Sequence, residues 1–373
     1  MKILYITDQI YLHGGAEKIL IQKLNYWADD FGYDVRLVTT QQKGLKPFFA
    51  LSPKVELVDL EIEYTEGVSF YSPANFSRFP EHFRKLKNAI NGFAPDAIFV
   101  ISQTFSRFIA PAAAGKYPVY YEYHTSYYGF ELGRRNASLA GRIKAAVLER
   151  IIRRVESAYT AVIYLNQWEF DHYKRKNSVV IPNFFDRIPD NSRPRKKRII
   201  TLGRLSFQKG YDLLIKAWAV ADKDADGWQL DIYGNGHDRD ALLQKIEAAN
   251  FKNPLRLHAA IDNVNEMLSE SEIYIMSSRF ETFPMVLLEA MSNRLPVVAF
   301  DCPTGPRSMV TDGEDGILVA PEDINALAEK MVYLMHNDAL RRNMGEKAFL
   351  NIQRFNPEVV MTQWDELVKQ HLR

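Results

Sequence analysis

The sequence predicts an α/β protein made of two doubly wound, Rossmann-like domains, and three features carry that prediction. Short apolar runs rich in β-branched residues alternate with longer amphipathic stretches, the rhythm of βαβ units around a parallel sheet buried on both faces. The rhythm occurs twice, on either side of an aperiodic stretch that contains Pro182, Pro189 and Pro194. A chain of 373 residues, 47% of them apolar, is also long enough to fill two or three cores.

In chain order, strands are expected at 2–7, 34–39, 55–60, 97–101, 119–123, 161–165 and 179–181, with helices between most of them, among them 15–28 and 139–157. The proline-containing stretch 183–197, with its Asx residues and basic run, reads as a linker. Beyond it, strands are expected at 198–203, 228–234, 255–258, 273–276, 296–300 and 316–319, again separated by helices. From Asp323 onward three helical patterns follow with no strand. The last, 357–372, has enough apolar residues to need a surface, and it is expected to cross back to the first domain. The expected domains are therefore 1–182 and 198–356, with 357–373 returning to the first.

Charge is nearly cancelled, 47 basic side chains against 46 acidic, so there is no net field to hold nucleic acid or a membrane, and any anion must be bound locally. One cysteine, Cys302, excludes internal disulfides and thiolate-rich metal sites and fits a reducing, cytoplasmic setting. Asp8 cuts the first apolar run before it could serve as a signal-peptide core. No window reaches the ~18 to 20 apolar residues needed to cross a bilayer, so any membrane contact is expected to be peripheral.

Two doubly wound domains facing each other would gather the carboxyl ends of both sheets around one cleft, which suits a diphosphate ligand. Three segments fall there. Gly14 and Gly15 follow the first strand and open the first helix, where the backbone can approach a ligand and free amides can meet an anion. A tight turn explains the same pair, and the Gly-x-Gly-x-x-Gly spacing of dinucleotide binders is missing. Gly203-Arg204-Leu205-Ser206-Phe207-Gln208-Lys209-Gly210 lies between a strand and a helix start, so Arg204 and Lys209 can both reach phosphate oxygens; an exposed basic loop is the plainer alternative.

The third segment is Glu281-Thr282-Phe283-Pro284-Met285-Val286-Leu287-Leu288-Glu289. Pro284 suits a first helical turn and leaves the amides of Met285 and Val286 facing forward. Glu281 then sits at the mouth, while Glu289, in an otherwise apolar helix, needs a partner such as a ribose hydroxyl unless it faces outward. The two carboxylates do not suit glycoside hydrolysis. Eight helical residues separate them by roughly 12 Å, whereas that chemistry needs about 5 to 9.5 Å.

In this order and spacing these residues resemble the retaining glycosyltransferases of family four, which have the GT-B fold, over essentially the whole chain. His124 after the strand 119–123, Ile181-Pro182-Asn183, and Tyr233-Gly234-Asn235-Gly236 add to the match. The loop Asp301-Cys302-Pro303-Thr304-Gly305-Pro306-Arg307 looks like members that build bacterial surface polysaccharides. The resemblance implies an N-terminal acceptor domain and a C-terminal nucleotide-sugar domain. It implies that Gly14, Gly15, Gly203, Arg204, Lys209 and Gly234 surround the donor, with Gly15, Arg204 and Lys209 on the diphosphate and Glu289 on the ribose. Glu281, with the amides of Phe283, Met285 and Val286, would hold the transferred sugar and phosphate, and His124 would bind the sugar from the other domain. Arg204, Lys209, Glu281 and His124 are thus the implied catalytic residues.

The implied reaction is retaining hexosyl transfer from a nucleotide-diphosphate sugar, UDP on family frequency, to a hydroxyl of a glycan or lipid-linked acceptor, with no cofactor or metal required. Arg204, Lys209 and helix amides would stabilise the departing diphosphate, whose oxygen takes the acceptor proton on the same face. Leu257-His258-Ala259 departs from the family pattern, which usually has glycine at the third position near the nucleobase. A nucleotide-sugar 2-epimerase of the same fold and a nucleotide-sugar binding subunit without turnover remain alternatives.

Eight histidines offer no helical or short-loop pair suited to zinc, and no metal site is expected. Tyr120, Tyr121, Tyr123, Tyr127 and Tyr128 flank His124 and are expected to divide between core and an acceptor groove. The stretch 134–154 carries Arg134, Arg135, Arg142, Lys144, Arg150, Arg153 and Arg154 against Glu149, interleaved with Leu139, Ile143, Val147, Leu148, Ile151 and Ile152. Such a helix can rest on anionic lipid at the inner face of a membrane; a solvated face over a core-facing stripe gives the same spacing. Arg193, Arg195, Lys196, Lys197 and Arg198 read as a solvated linker and not as a nucleic-acid patch.

Overall fold

The computed structural model describes residues 1–65, 67–68, 72–135, 138–185, 193–261 and 263–372, and of Tyr127, Phe130 and Arg135 the backbone alone. Seven strands, β1 (Lys2–Thr7), β2 (Asp34–Thr39), β3 (Val55–Asp59), β4 (Ala97–Ile101), β5 (Val119–Glu122), β6 (Ala161–Tyr164) and β7 (Ser178–Val180), form an all-parallel sheet in the order β3-β2-β1-β4-β5-β6-β7. Six more, β8 (Arg198–Leu202), β9 (Gln229–Tyr233), β10 (Leu255–His258), β11 (Ile273–Met276), β12 (Val297–Phe300) and β13 (Gly316–Val319), form a second parallel sheet in the order β10-β9-β8-β11-β12-β13. The chain is two doubly wound parallel sheets with flanking helices. In each, the strand order reverses beside the first strand, between β1 and β4 and between β8 and β11, the position at which doubly wound sheets in general form a ligand-binding crevice at the carboxyl ends of their strands.

The chain forms two compact units, Met1–Pro182 with Glu358–Arg373, and Asn183–Pro357. In the first, the helix Pro357–His371 is part of the core: Trp364 stands edge-on to Phe99 of β4, with centroids 5.5 Å apart, and Tyr33 donates to Asp365 at 2.9 Å. In the second, Trp218 and Leu214 of the helix Tyr211–Ala221 pack in one core with Ile232 of β9 and Ile275 of β11.

Residues 193–197, expected as a solvated linker, are mostly exposed and are also anchored. Arg193 pairs with Glu266 and Glu270, Lys196 Nζ lies 2.5 Å from Glu270, and Arg195 donates to the carbonyls of Asn293 and Arg294 at 2.9 and 3.2 Å. The basic run is fixed by acids some seventy residues away, which local pattern does not reveal. Residues 186–192, with Pro189, lie outside the described residues.

The flanking tyrosines also sort themselves. Tyr120, Tyr121 and Tyr123 are buried core residues, so β5 supplies no groove with them. Tyr128 stands edge-on to Trp168, and the Tyr127 side chain lies outside the described residues. On the helix Leu139–Glu156 the inward face is Leu148, Ile152 and Glu156, whereas Leu139, Ile143, Val147 and Ile151 are exposed, from 75% down to 49%. That overturns the core-facing reading for this stripe. Arg142, Lys144, Arg150 and Arg154 have no ion pair among the described residues, while Glu149 is taken by Arg134 and Arg153 at 2.8 and 2.6 Å.

Candidate functional site

At the β8/β11 crevice two loops are laced together. Ser277 Oγ donates to the Lys209 carbonyl at 2.9 Å, the Arg279 amide to Gln208 O at 2.8 Å, and Gln208 Nε2 to Phe280 O at 3.1 Å. Gly210 permits this approach: its φ is +61°, and a Cβ there would fall 2.1 Å from the Ser277 carbonyl oxygen. On the other side, the Gly203 amide donates to Tyr233 O and that of Leu205 to Asn235 O, and a Cβ at Gly234 would meet Gly203 O at 2.0 Å.

This lacing sets the charges. Lys209 Nζ lies 2.6 Å from Glu281 Oε1, and Ser278 Oγ donates to the same oxygen at 2.6 Å. Behind Glu281, its amide donates to Pro303 O, its carbonyl accepts from Thr304 Oγ1, and a Cβ at Gly305 would come within 2.7 Å of the Glu281 Cβ. Thr304 itself sits at φ +67°, a conformation unusual for a β-branched residue and held by those bonds. Lys209 and Glu281 cancel, Arg279 is paired with Asp212 at 2.8 Å, and the exposed Arg204 has no side-chain partner among the described residues, so the loops present one net positive charge through Arg204. Two of the three Lys209 protons remain beyond the one given to Glu281.

The helix Met285–Ser292 starts in the same crevice. Pro284 is its N-cap, one residue earlier than expected, with no side-chain cap. The first amide to bond within the helix is that of Leu287, to Pro284 O at 2.9 Å, so the amides of Met285 and Val286 have no intrahelical acceptor. Phe283 is buried edge-on against Phe355, and Glu289 is half-buried further along the helix. At the ends of β9 and β10, Tyr233 and His258 stack at 4.4 Å, and His258 Nε2 lies 3.0 Å from Asp231.

At the β1/β4 crevice Gly14 is the N-cap of the helix Gly15–Asp29. A Cβ at Gly14 would strike only the movable Glu17 carboxylate, and one at Gly15 would meet nothing within 4 Å. Asp8 ties the two loops together by accepting from Ser102 Oγ and Thr104 Oγ1, both at 2.6 Å, and from the Gln103 amide. Burial raises its pKa against the pull of those bonds. Sequence reading missed this staple, although Ser102 and Thr104 directly follow a strand.

His124, just past β5, places Nε2 3.0 Å from Glu122 Oε2. That carboxylate is fully buried and also takes Lys23 Nζ at 2.5 Å; the Lys23 ammonium lies 3.8 Å from the centroid of Trp364. Burial pushes the Glu122 pKa up, but Lys23 and His124 together hold it below the usual range. Burial holds the His124 ring below its ordinary value. Glu122 and Lys23 were not foreseen; a lysine and a glutamate 99 positions apart carry no local signal. Among the described residues, no group of three or more His, Cys, Asp or Glu is arranged to hold a metal ion, and no helix is long and apolar enough to cross a membrane.

Two families match the chain: Glycosyltransferase Family 4 over residues 13–187, and Glycosyl transferases group 1 over residues 184–350. A Haemophilus influenzae protein described as an uncharacterized glycosyltransferase is 26% identical, over 97% of this chain and 98% of its own. AmsD of Erwinia amylovora, an amylovoran biosynthesis glycosyltransferase, is 30% identical over 50% of this chain; the match spans about half of that relative, 52%. Among solved structures, TarM superposes with a TM-score of 0.80 at 16% identity, covering 98% of both chains. Anabaena HepE, solved with UDP-glucose, does so with 0.73 at 19% identity, over 99% of this chain and all of that one. At those identities the structural likeness shows the fold alone, which is GT-B.

Proposed function

Because the chain belongs to the glycosyltransferases of family four, its two halves matching the family's two parts, we propose that it moves a hexosyl unit from a nucleotide-diphosphate sugar to a hydroxyl of a glycan or lipid-linked acceptor in surface-polysaccharide synthesis. Transfer proceeds with retention of anomeric configuration and without a required metal. The carrying observation is that the unpaired Arg204, the Lys209–Glu281 pair and the open amides of Met285 and Val286 all belong to loops at one switch point. Arg204 and the remaining protons of Lys209 take the diphosphate, the two amides add their partial charge, and Glu281 and Glu289 accept from sugar and ribose hydroxyls. On this reading the unit with β8–β13 holds the donor and the unit with β1–β7 serves the acceptor, Gly14, Gly15 and His124 being the proposed ligand-binding residues of the latter.

As the glycosidic bond breaks, negative charge grows on the leaving phosphate, and preorganised donors stabilise it more than the ground state. The leaving oxygen then takes the proton of the incoming hydroxyl on the same face. UDP is supported by the fold shared with a UDP-glucose complex, and the polysaccharide role by the likeness to AmsD. The exposed Leu139, Ile143, Val147 and Ile151, interleaved with unpaired cations, support peripheral contact with anionic lipid at the inner membrane face.

A donor panel of UDP-, GDP- and ADP-sugars, read by calorimetric binding and slow hydrolysis, tests the reading. UDP-sugars are expected to bind in wild type and to bind poorly in Arg204→Ala. Failure of every nucleotide sugar to bind would end it.

A further inference from the structure

We infer that Glu122 and Lys23 are positioning residues that fix His124 as the neutral tautomer protonated on Nε2, so that its Nδ1 offers a hydrogen-bond acceptor to the ligand. Glu122 Oε2 lies 2.5 Å from Lys23 Nζ and 3.0 Å from His124 Nε2. An ionised carboxylate has no proton to give, so the proton in the second contact belongs to Nε2. A neutral imidazole with its hydrogen there keeps a lone pair on Nδ1.

Burial keeps the ring neutral, outweighing the two carboxylates that face it. The groups that face it are Glu122 from its own strand, and Lys23 and Glu17 from the helix Gly15–Asp29; Tyr5 of β1 faces Glu122 and stays protonated. Lys23 already neutralises Glu122, so a proton on Nδ1 would place a second cation beside Lys23 in a nearly dry pocket, the His124 side chain being 5% exposed. Lys23 cannot swing away to water, since it is fully buried with its ammonium over the Trp364 ring.

Stability does not account for this pair. Two buried ions repay their desolvation poorly, and apolar residues of similar volume usually do as well or better. What an apolar pair could not do is hold an imidazole in one orientation with one proton placement. Identifying the group that His124 meets as a sugar hydroxyl rests on the proposed function; that hydroxyl is then the donor and Nδ1 the acceptor.

The test uses the full chain with 15N-labelled histidine. Two-bond proton–nitrogen spectra distinguish the two neutral tautomers from imidazolium, and the His124 signal is the one lost in His124→Asn. Wild type is expected to show the Nε2–H tautomer from pH 6 to 8. In Lys23→Met the carboxyl, stripped of its cation, takes a proton and donates it, and the tautomer flips toward Nδ1–H. Glu122→Gln keeps the lysine charge and gives a mixture. In kinetics, Glu122→Gln is expected to raise KM for a UDP-sugar about tenfold while leaving affinity for free UDP within about twofold, a split that general loosening of the fold would not give. Imidazolium or Nδ1–H in the wild type at pH 7, or a tautomer unchanged in both variants, overturns the inference. The expected tautomer in a chain that binds no sugar nucleotide would instead remove the proposed function and leave the tautomer assignment standing.

Discussion

Arg204 and Lys209 stand five residues apart, yet they enter the chemistry differently, because Lys209 already has Glu281 as a counter-ion and Arg204 has none among the described residues. Arg204→Ala is expected to lower kcat/KM by ~100-fold, about 3 kcal/mol of transition-state stabilisation, and to weaken UDP binding. Lys209→Ala is expected to cost a similar amount in kcat while also leaving Glu281 without its cation. Steady-state kinetics with calorimetric UDP titrations would separate the two, and near-normal turnover in both variants would remove the clamp. Both cations and Glu281 were legible in the sequence, since each follows a strand in a glycine-bearing or helix-starting loop. Their pairing was not, because 72 positions separate Lys209 from Glu281 and only the sheet order brings β8 beside β11. Ser278, Thr304, Asp8, Glu122 and Lys23 escaped for the same reason: each acts through a contact between elements.

Loops and helices give sharper contrasts than single side chains. Gly210→Ala is expected to lower stability by about 2 kcal/mol or more, because the new Cβ meets both a left-handed backbone and the Ser277 carbonyl. Gly15→Ala meets no protein atom within 4 Å, so it should leave the thermal midpoint unchanged and weaken only donor binding. Equal losses of stability in the two variants would contradict that division. For the helix Leu139–Glu156, flotation with liposomes containing anionic lipid should recover the wild type and lose an Ile143→Asp, Val147→Asp double variant; recovery indifferent to lipid charge would remove the membrane contact. The existence of this helix was plain from its spacing. Which face turned inward was not, because apolar residues recur on both sides of it, and packing chose Leu148 and Ile152. Strands were more legible still, since a β-branched run between turn formers has few other uses in an alternating chain.

Across the whole molecule, acid should act through the buried histidines, His82 and His124, of which His82 is the clearer case. Its ring is fully buried between Tyr64 Oη at 2.7 Å and Ser106 Oγ at 3.2 Å, and burial brings its pKa down to about 4. The unfolded chain, near 6.5, therefore binds the proton first as pH falls, and stability should decline between pH 6.5 and 4 by on the order of 3 kcal/mol. Urea midpoints measured across that window should fall in wild type and fall less in His82→Gln; parallel curves would show that other groups govern the acid response. The doubly wound architecture was legible at this scale because two runs of βαβ units allow few topologies. The anchoring of 193–197 was not, since it depends on acids of a later helix. Trp364, which caps the Lys23 ammonium, emerges from the ribosome only after all of 183–357 has been made, so the unit that starts first is sealed last. A nascent chain must carry Lys23 and Glu122 without that indole for the seconds needed to translate the second unit, at ~5 to 20 residues per second. Chaperone occupancy during translation should therefore persist on the early half until the final helix has docked.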